Sequence, residues 1–569
     1  MTALPTTRLE RLLPFLAWPR QWRAAGWHVD AIAGITIALV MVPQSLAYAQ
    51  LAGLPPHVGL YAALLPAVVA ALFGSCGQLS TGPVALTALL TGASLVPLAR
   101  ADSPEFLALA ILLALMSGLI QLALGALRAG WLLNLLSRPV LTGFLNAAAL
   151  LIGLSQVPAL LGLPAPRASH VLIGFWHTLQ DLAAVHALSA LFGFGTLAAL
   201  TLLRRFAPRL PGVLLVVVAG TALSAASGFA EHGGVVVGAI PAGLPTLGLP
   251  AFDGSAAVAL LPAAFVIALV SFMEVTSSAK VITGRTGQAW DHNQELIAQG
   301  LAKLAAAVSG TMPVSASLSR SALNFASGAR TGLASLVAAA CVLLTLLYLT
   351  PLLWFLPIPV LAAVILQVVG GLFDFRALGR AWQASGADGL ASAVTFASTL
   401  LFAPNIQNGI LTGLLLSLAL MLYRDMRPRT VLLGLHPDGT YRDLERFGLQ
   451  HPHPQLVILR FDSPLTFVTA ATFESAVVQA AAAQPEVRTV LISGAGINAI
   501  DASGLHAIAT LHERLRGRGQ ALAFCGLKKQ AIDAMERTGL WQRIGTQAAF
   551  RTEHQAVATL LPGRSALTP

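Results

Sequence analysis

GQLSTGPVAL, residues 77–86, and TMPVSASLSRSAL, residues 311–323, break the apolar pattern of this 569-residue chain in matching ways. Each is a short run of small and hydroxylated residues that reads as extended chain set directly before a helix start. The helix starts fall at Gly82–Pro83 in the first and near Ser319 in the second. Proline suits a first helical turn, where its missing N–H is no loss. A helix that begins inside a membrane presents unpaired N–H groups and the positive end of its dipole. Two such ends facing each other form a site for an anion, and paired interruptions in corresponding halves of a chain point to a transporter's midplane site.

Outward from these stretches run apolar segments. The spans are 31–52, 58–74, 82–97, 106–126, 139–161, 180–203 and 211–229, then 257–280, 293–309, 319–330, 333–350, 357–371, 387–402 and 407–424. These are fourteen segments in two sets of seven, and each interruption opens the third of its set. A full helical crossing needs about 20 residues, so 82–97 and 319–330 are expected as half-helices. Hydrophobic residues make up 56% of the chain, charged residues only 10%, and the mean hydropathy is +0.75. A soluble domain carries about a quarter charged residues, so lipid is the expected solvent for much of this chain.

Charge placement agrees with the count. With a cytoplasmic N-terminus, Arg128, Arg138, Arg204, Arg205, Arg209, Lys280, Arg285, Arg330, Arg376, Arg380, Arg424, Arg427 and Arg429 fall on the inside. The outside loops hold little beyond Arg100 and Arg167, and 230–256 has Glu231 and Asp253 but no Lys or Arg. That asymmetry follows the positive-inside rule and explains the net charge of +10 without nucleic acid. An even count returns the C-terminus to the cytoplasm, in a plasma (inner) membrane. Thr7–Trp27 mixes Arg8, Arg11, Arg20 and Arg23 with Trp18, Trp22 and Trp27, as an interfacial segment against lipid headgroups would. The first 28 residues lack the apolar stretch of a signal peptide. Cys76, Cys341 and Cys525 are scattered, with no metal-ligand spacing, so neither a disulfide nor a metal site is expected.

From Arg424 onward charges return to ordinary soluble density, and strands at 456–461, 489–494 and 521–526 alternate with helices at 473–483, 504–516 and about 530–538. This alternation predicts an α/β domain. The expected organisation is an interfacial segment at 1–28, a transmembrane domain at 29–425, a linker at 426–454, the α/β domain at 455–562 and a tail at 563–569. No nucleophile–base pair, phosphate loop or metal motif suggests an enzyme, and no cofactor is expected.

Three ionisable residues inside apolar segments are singled out. Arg320, at the second helix start, is expensive at membrane depth and must face a partner or an aqueous cavity. It reads either as an anion ligand or as one half of a permanent ion pair. Glu274, deep in the eighth span, is a candidate proton carrier, because desolvation favours the neutral acid. Its alternative is to neutralise Arg320. Lys303 in the ninth span is assigned no role. Gln44, Ser45 and Tyr48 form a polar patch around Pro43 in the first span, the counterpart of the Glu274 span. Such a patch is more often a link between helices, but its position favours the site.

At these residues the chain resembles the sulfate permease (SulP) family of anion transporters. DAIAGITIALVMVPQSLAYAQLAGLPPHVGLYAALLPAVVAALFGSCGQLSTGPVAL (30–86) is similar to the family's N-terminal signature, and MPVSASLSRSALNFASGART (312–331) to its tenth-span motif. RFDSPLTFVTAATF (460–473) and INAIDASGLHAI (497–508) resemble its STAS domain. The resemblance covers about residues 28–560. It implies an α-helical polytopic protein of fourteen spans as seven-plus-seven inverted repeats. Spans 1–4 and 8–11 would form a core moving against a gate in elevator fashion, in a homodimer. It places the anion among Gln44, Tyr48, Gly82, Pro83, Val84, Ser319 and Arg320, with Glu274 as the coupling residue.

The family's bicarbonate branch carries an aspartate at the Glu274 position, where it helps bind sodium, so the glutamate favours protons. Lys303 stands where a small or amide residue is expected. The expected function is proton-coupled symport of sulfate or a small dicarboxylate. The alternatives are a sodium–bicarbonate symporter, a nucleobase permease of similar fold, and a membrane scaffold or sensor in which the STAS domain is the working part. Ser503 matches the serine phosphorylated in related STAS domains, which would bring in a cytoplasmic protein partner. In this sequence Ser503 or Asp501 could equally cap the following helix.

Overall fold

Apolar runs without water can satisfy their backbone groups only internally, and helices do so within one segment. Each of the fourteen apolar segments is helical in the computed structural model, which describes residues 9–10, 13–131, 136–164, 170–207, 210–241, 243–248, 253–288, 290–545 and 549–561. Arg8, Arg11, Arg167, Arg209 and the tail at 563–569 lie outside the described residues. The chain divides into two units between Ser417 and Leu418.

The first unit opens with α1 (Trp18–Ala25), α2 (Trp27–Leu51), α3 (Pro56–Ala62) and α4 (Leu65–Phe73). Strand β1 (Thr81–Gly82) precedes α5 (Ala85–Leu95), followed by α6 (Pro104–Ala126), α7 (Arg138–Leu161), α8 (Val171–Gln180), α9 (Ala187–Phe206) and α10 (Gly212–Ser227). The second set begins with α11 (Gly254–Thr286) and α12 (His292–Val308), then β2 (Ser315–Ala316) and α13 (Leu318–Ala326). It ends with α14 (Leu333–Leu344), α15 (Thr350–Leu353), α16 (Ile358–Gly370), α17 (Phe375–Ala384), α18 (Gly386–Leu401) and α19 (Gln407–Asp425). Among the described residues, eight helical stretches are long and apolar enough to cross a membrane, while Ala85–Leu95 and Gly212–Ser227 are apolar but shorter. Large apolar side chains such as Leu191, Leu223, Val258 and Leu415 stand exposed on the outer surface, as lipid contact requires.

The core is closely packed where small residues let backbones meet. A Cβ on Gly59 of α3 would lie 1.9 Å from the Ser45 carbonyl oxygen of α2, so only glycine fits there. Gly118 of α6 and Gly300 of α12 bring these two helices together in the same way. Helix α2 runs unbroken through Pro43.

In the second unit a six-stranded sheet has the order β4-β3-β5-β6-β7-β8. Its strands are β3 (Thr430–Leu435), β4 (Tyr441–Asp443), β5 (Leu456–Phe461), β6 (Thr489–Ser493), β7 (Ala521–Cys525) and β8 (Ala549–Phe550). β5 to β8 are parallel, and β3 is antiparallel to β4 and β5. Residues expected only as a linker thus supply two strands; β4 is three residues long and charged, and β3 lies directly after the basic run at 424–429, which hides them. Helices α20 (Leu444–Phe447), α21 (Ala470–Ala481), α22 (Ala502–Arg516), α23 (Lys529–Arg537), α24 (Leu540–Ile544) and α25 (Glu553–Leu560) complete the unit. Val457, Leu459 and Phe461 face the core under α21–α24, while Leu456 and Ile458 face α25, the period-two alternation of a strand.

The α22 cap is Asp501. Its Oδ1 accepts from Gly504 N at 2.9 Å and its Oδ2 from Phe467 N at 2.8 Å, while Ser503 stays exposed. Burial pushes the Asp501 carboxyl up, but the N–H groups of Gly504, Phe467 and Ser503 together hold it below the usual carboxylate range. The stability it contributes is therefore present above the ordinary carboxylate range and is lost as pH falls through the lowered value. Asp501→Ala is expected to remove about 1 kcal/mol of local stability and to speed hydrogen exchange in the first turn of α22. Ser503→Ala should leave that exchange unchanged.

Candidate anion-binding site

The two interrupted stretches meet. β1 and β2 pair antiparallel, with Thr81 opposite Ala316 and Gly82 opposite Ser315. Ser317 N donates to Ser80 O at 3.0 Å, and Ser80 N donates to Ser321 Oγ at 3.0 Å. Because the strands run in opposite directions, α5 and α13 leave the crossing from opposite ends. The helix starts differ slightly from expectation. α5 begins at Ala85 with Val84 as an extended N-cap that offers no side-chain acceptor, and Pro83 lies before the cap instead of in the first turn. The pairing of Thr81 and Gly82 delays the helix, since a paired strand cannot also be helical. α13 begins at Leu318, capped by Ser317, whose Oγ accepts from Arg320 N at 3.4 Å.

Two carboxylates hold the chain on the flanks of this crossing. Asp30, in the first turn of α2, accepts from Arg330 N at 2.7 Å, Thr331 N at 3.2 Å and Thr331 Oγ1 at 2.7 Å. Glu295, in the first turn of α12, accepts from Ser75 N at 2.9 Å and Cys76 N at 3.2 Å. Asp30 of the first set thus holds the loop that follows α13, and Glu295 of the second set holds the turn that precedes β1. Gln299 Nε2 adds a bond to Thr81 Oγ1 at 3.0 Å.

Arg320 is only 1% exposed. Its Nη1 donates to Gln44 Oε1 at 3.3 Å and its Nε to Ser80 Oγ at 3.4 Å, while Nη2 has no partner among the described residues. A Cβ built on Gly82 would sit 3.4 Å from Nη2, so the glycine keeps the approach to the guanidinium open. Among the described residues Arg320 forms no ion pair with a carboxylate. An unpaired donor on a buried cation is costly unless it meets an acceptor. The arrangement of Nη2, the uncapped amides that open α5 and the Gln44 amide suits an anion with several oxygens.

Tyr48 is buried at 2% exposure and lies within electrostatic reach of both Arg320 and Glu274. Glu274 is half-buried beside Ser315, and its Oε2 is sealed from solvent without a partner. The structure therefore gathers Gln44, Tyr48, Gly82, Arg320 and Glu274, with Pro83 and Val84 buried in the backbone leading into α5. Ser319 is not gathered with them: its side chain is exposed, and its Oγ meets Ser317 Oγ at 3.2 Å. Ser80, Asp30 and Glu295 were missed in the sequence. Ser80 lies inside the stretch that was singled out, and Glu295, an acidic residue in an apolar span, carried the same signal as Glu274.

Beside the site opens a cavity of about 870 Å³ bordered by Arg128, Arg138, Lys280, His292, Ser277 and Leu318 of the α13 start, with no carboxylate in its lining. Focused positive potential raises the local anion concentration. Arg138→Gln and Lys280→Gln are expected to raise the KM for a divalent anion severalfold at low ionic strength. The effect should fade above about 0.5 M salt as screening shortens to a few ångströms.

Comparison with known proteins follows the same lines. The sequence profile of the sulfate permease family matches residues 28–395, and that of the STAS domain matches residues 450–556. A probable sulfate transporter of Mycobacterium tuberculosis (strain CDC 1551 / Oshkosh) is 33% identical over 97% of this chain and 99% of its own length. Probable sulfate transporter 4.2 of Arabidopsis thaliana is 32% identical over 96% of this chain and 83% of its own. In fold, the chain is similar to the murine Solute Carrier 26 family member A9 anion transporter in the inward-facing state. The TM-score is 0.90 at 23% identity, over 98% of this chain and 95% of that one. It is also similar to the transmembrane domain of a cyanobacterium bicarbonate transporter, BicA, with a TM-score of 0.58 at 26% identity over 69% of this chain and 97% of that one.

Proposed function

Because this chain belongs to the sulfate permease family, we propose that it carries sulfate across the membrane by proton-coupled symport, with the anion held at Arg320. It is a multi-pass membrane transporter with a STAS domain, and not an enzyme. The observation that carries the substrate reading is the buried, unpartnered Nη2 of Arg320 beside Gly82 and the uncapped start of α5. A planar guanidinium offers its N–H groups in a fork that matches oxyanion geometry. Relatives named as sulfate transporters along nearly the whole chain support sulfate within that class. Glu274 takes the coupling proton on the core side of the site.

The antiparallel crossing of β1 and β2 supports two inverted repeats of seven segments. In this arrangement the core, residues around the crossing included, slides against the gate in an elevator motion. The transport domain spans 29–425 and the STAS domain 455–562, with both termini in the cytoplasm and two copies forming a homodimer. Ser503, exposed one residue into α22, is free to accept a phosphate at a helix start, where added negative charge is favourable and would be read by a cytoplasmic partner.

Sodium–bicarbonate symport is a second reading, favoured by the similarity in fold to the bicarbonate transporter. A thermal-shift panel on the purified protein with sulfate, bicarbonate, succinate and chloride separates the two. Sulfate should stabilise the wild type and leave Arg320→Ala unaffected. A sodium-dependent shift with bicarbonate alone would replace sulfate by the second reading.

A further inference from the structure

Lys303 is completely buried in α12, between α6 and α11. Its Nζ donates to Gln121 Oε1 at 2.8 Å and to Ser271 Oγ at 3.0 Å. The neighbouring bonds fix these roles. Gln121 Nε2 lies 2.7 Å from the Ala268 carbonyl oxygen, which can only accept, so the amide oxygen of Gln121 must face Lys303. Ser271 Oγ also accepts from Gln121 Nε2 at 2.9 Å and gives its own proton to Ala268 O at 3.3 Å. Among the described residues both contacts of Nζ are acceptors, so the environment is compatible with an ammonium and asks no partner to give Lys303 a proton. Among the described residues no carboxylate lies within ion-pair distance of it.

The site is close by. Glu274 stands three residues along α11 from Ser271 and within electrostatic reach of both Lys303 and Arg320. Ser315 Oγ donates to Ser271 O at 3.0 Å, and Ser315 is the strand partner of Gly82. The remaining buried carboxylates of the described core, Asp30 and Glu295, are engaged by the loop N–H groups of Arg330 and Thr331 and of Ser75 and Cys76, and form no ion pair with Lys303 or Arg320.

We propose that Lys303 is a fixed internal cation that matches the charge of the core to a divalent anion. The proposal rests on the transport reading above. Arg320 and Lys303 supply two positive charges, and Glu274 is neutral once it holds the coupling proton. With a dianion and a proton bound, these three groups sum to no net charge as the core crosses the membrane field. Empty, with Glu274 ionised, they sum to one positive charge on the return. Lys303 does not touch the anion; as a cation it decides which step of the cycle feels the membrane potential.

The test uses full-length protein in proteoliposomes with potassium diffusion potentials, reading sulfate–sulfate exchange, which reports the loaded step alone, and net proton-driven uptake. Wild-type exchange is expected to be equal at 0 and −100 mV within about twofold, while net uptake changes with potential; a full charge across the whole field would give about fiftyfold. Lys303→Gln removes the charge, and Gln121→Glu neutralises it while leaving the lysine in place. Both variants should make exchange slow severalfold at −100 mV. Should Lys303→Gln fail to fold, Gln121→Glu carries the test. Potential-dependent exchange in the wild type, or potential-insensitive exchange in a folded variant, overturns the proposal. A wild type that exchanges no sulfate at all removes the transport reading itself.

Discussion

Arg320→Ala should lower sulfate uptake about a hundredfold or more and abolish stabilisation by sulfate. Truncating one partner of a buried charge contact costs about 2–5 kcal/mol, and this guanidinium has no carboxylate to share the loss. The residue is held from two sides, by Gln44 Oε1 at 3.3 Å and Ser80 Oγ at 3.4 Å, so its remaining donor is aimed before any anion arrives. The substitution also relieves the fold of a buried cation, so the variant protein without sulfate should be at least as stable as the wild type. That combination, lost transport with retained stability, separates a ligand from a structural arginine. Arg320→Lys keeps the charge but loses the fork, and should recover only part of the affinity. Uptake by Arg320→Ala within about twofold of wild type would remove Arg320 from the site.

Glu274→Gln should abolish accumulation driven by a pH gradient while leaving sulfate–sulfate exchange in place. A glutamine keeps the size and one acceptor of the acid but cannot release a proton, so the core behaves as though always protonated. With the membrane potential clamped at zero, a one-unit inward proton gradient sustains about tenfold accumulation for one coupled proton, and the variant should reach none. Retained gradient-driven accumulation would place the coupling group elsewhere. Loss of both accumulation and exchange, with the protein folded, would make Glu274 part of the anion site instead.

A carboxylate and a guanidinium in two separate apolar segments read, in sequence, either as an ion pair or as two working groups. The fold separates them. Glu274 lies on α11 beside Ser315, Arg320 turns toward Gln44 and Ser80, and the pair leaves both Nη2 and Oε2 without partners among the described residues. The question had no sequence answer because a side chain's direction at a helix start depends on what crosses it. For the same reason the sequence did not show that Ser319, one residue from Arg320, leaves its side chain exposed and against Ser317.

What the amino-acid sequence determined by itself was a multi-pass helical membrane protein, its α/β tail and the two places where short helices start. Hydropathy, length and charge asymmetry are local properties, summed over segments, and lipid enforces them strictly because an unsatisfied backbone group has no water to turn to. The matched interruptions at 77–86 and 311–323 were legible for the same reason. Only the tertiary structure decided that these two stretches pair as strands, that Asp30 and Glu295 hold the chain after α13 and before β1, and that Asp501 and not Ser503 caps α22. Lys303 makes the distinction plainest: in sequence it is one lysine in an apolar helix, and its role depends on Gln121 and Ser271, 182 and 32 residues away. A buried charge takes its meaning from the groups that solvate it, and those are brought together only by folding.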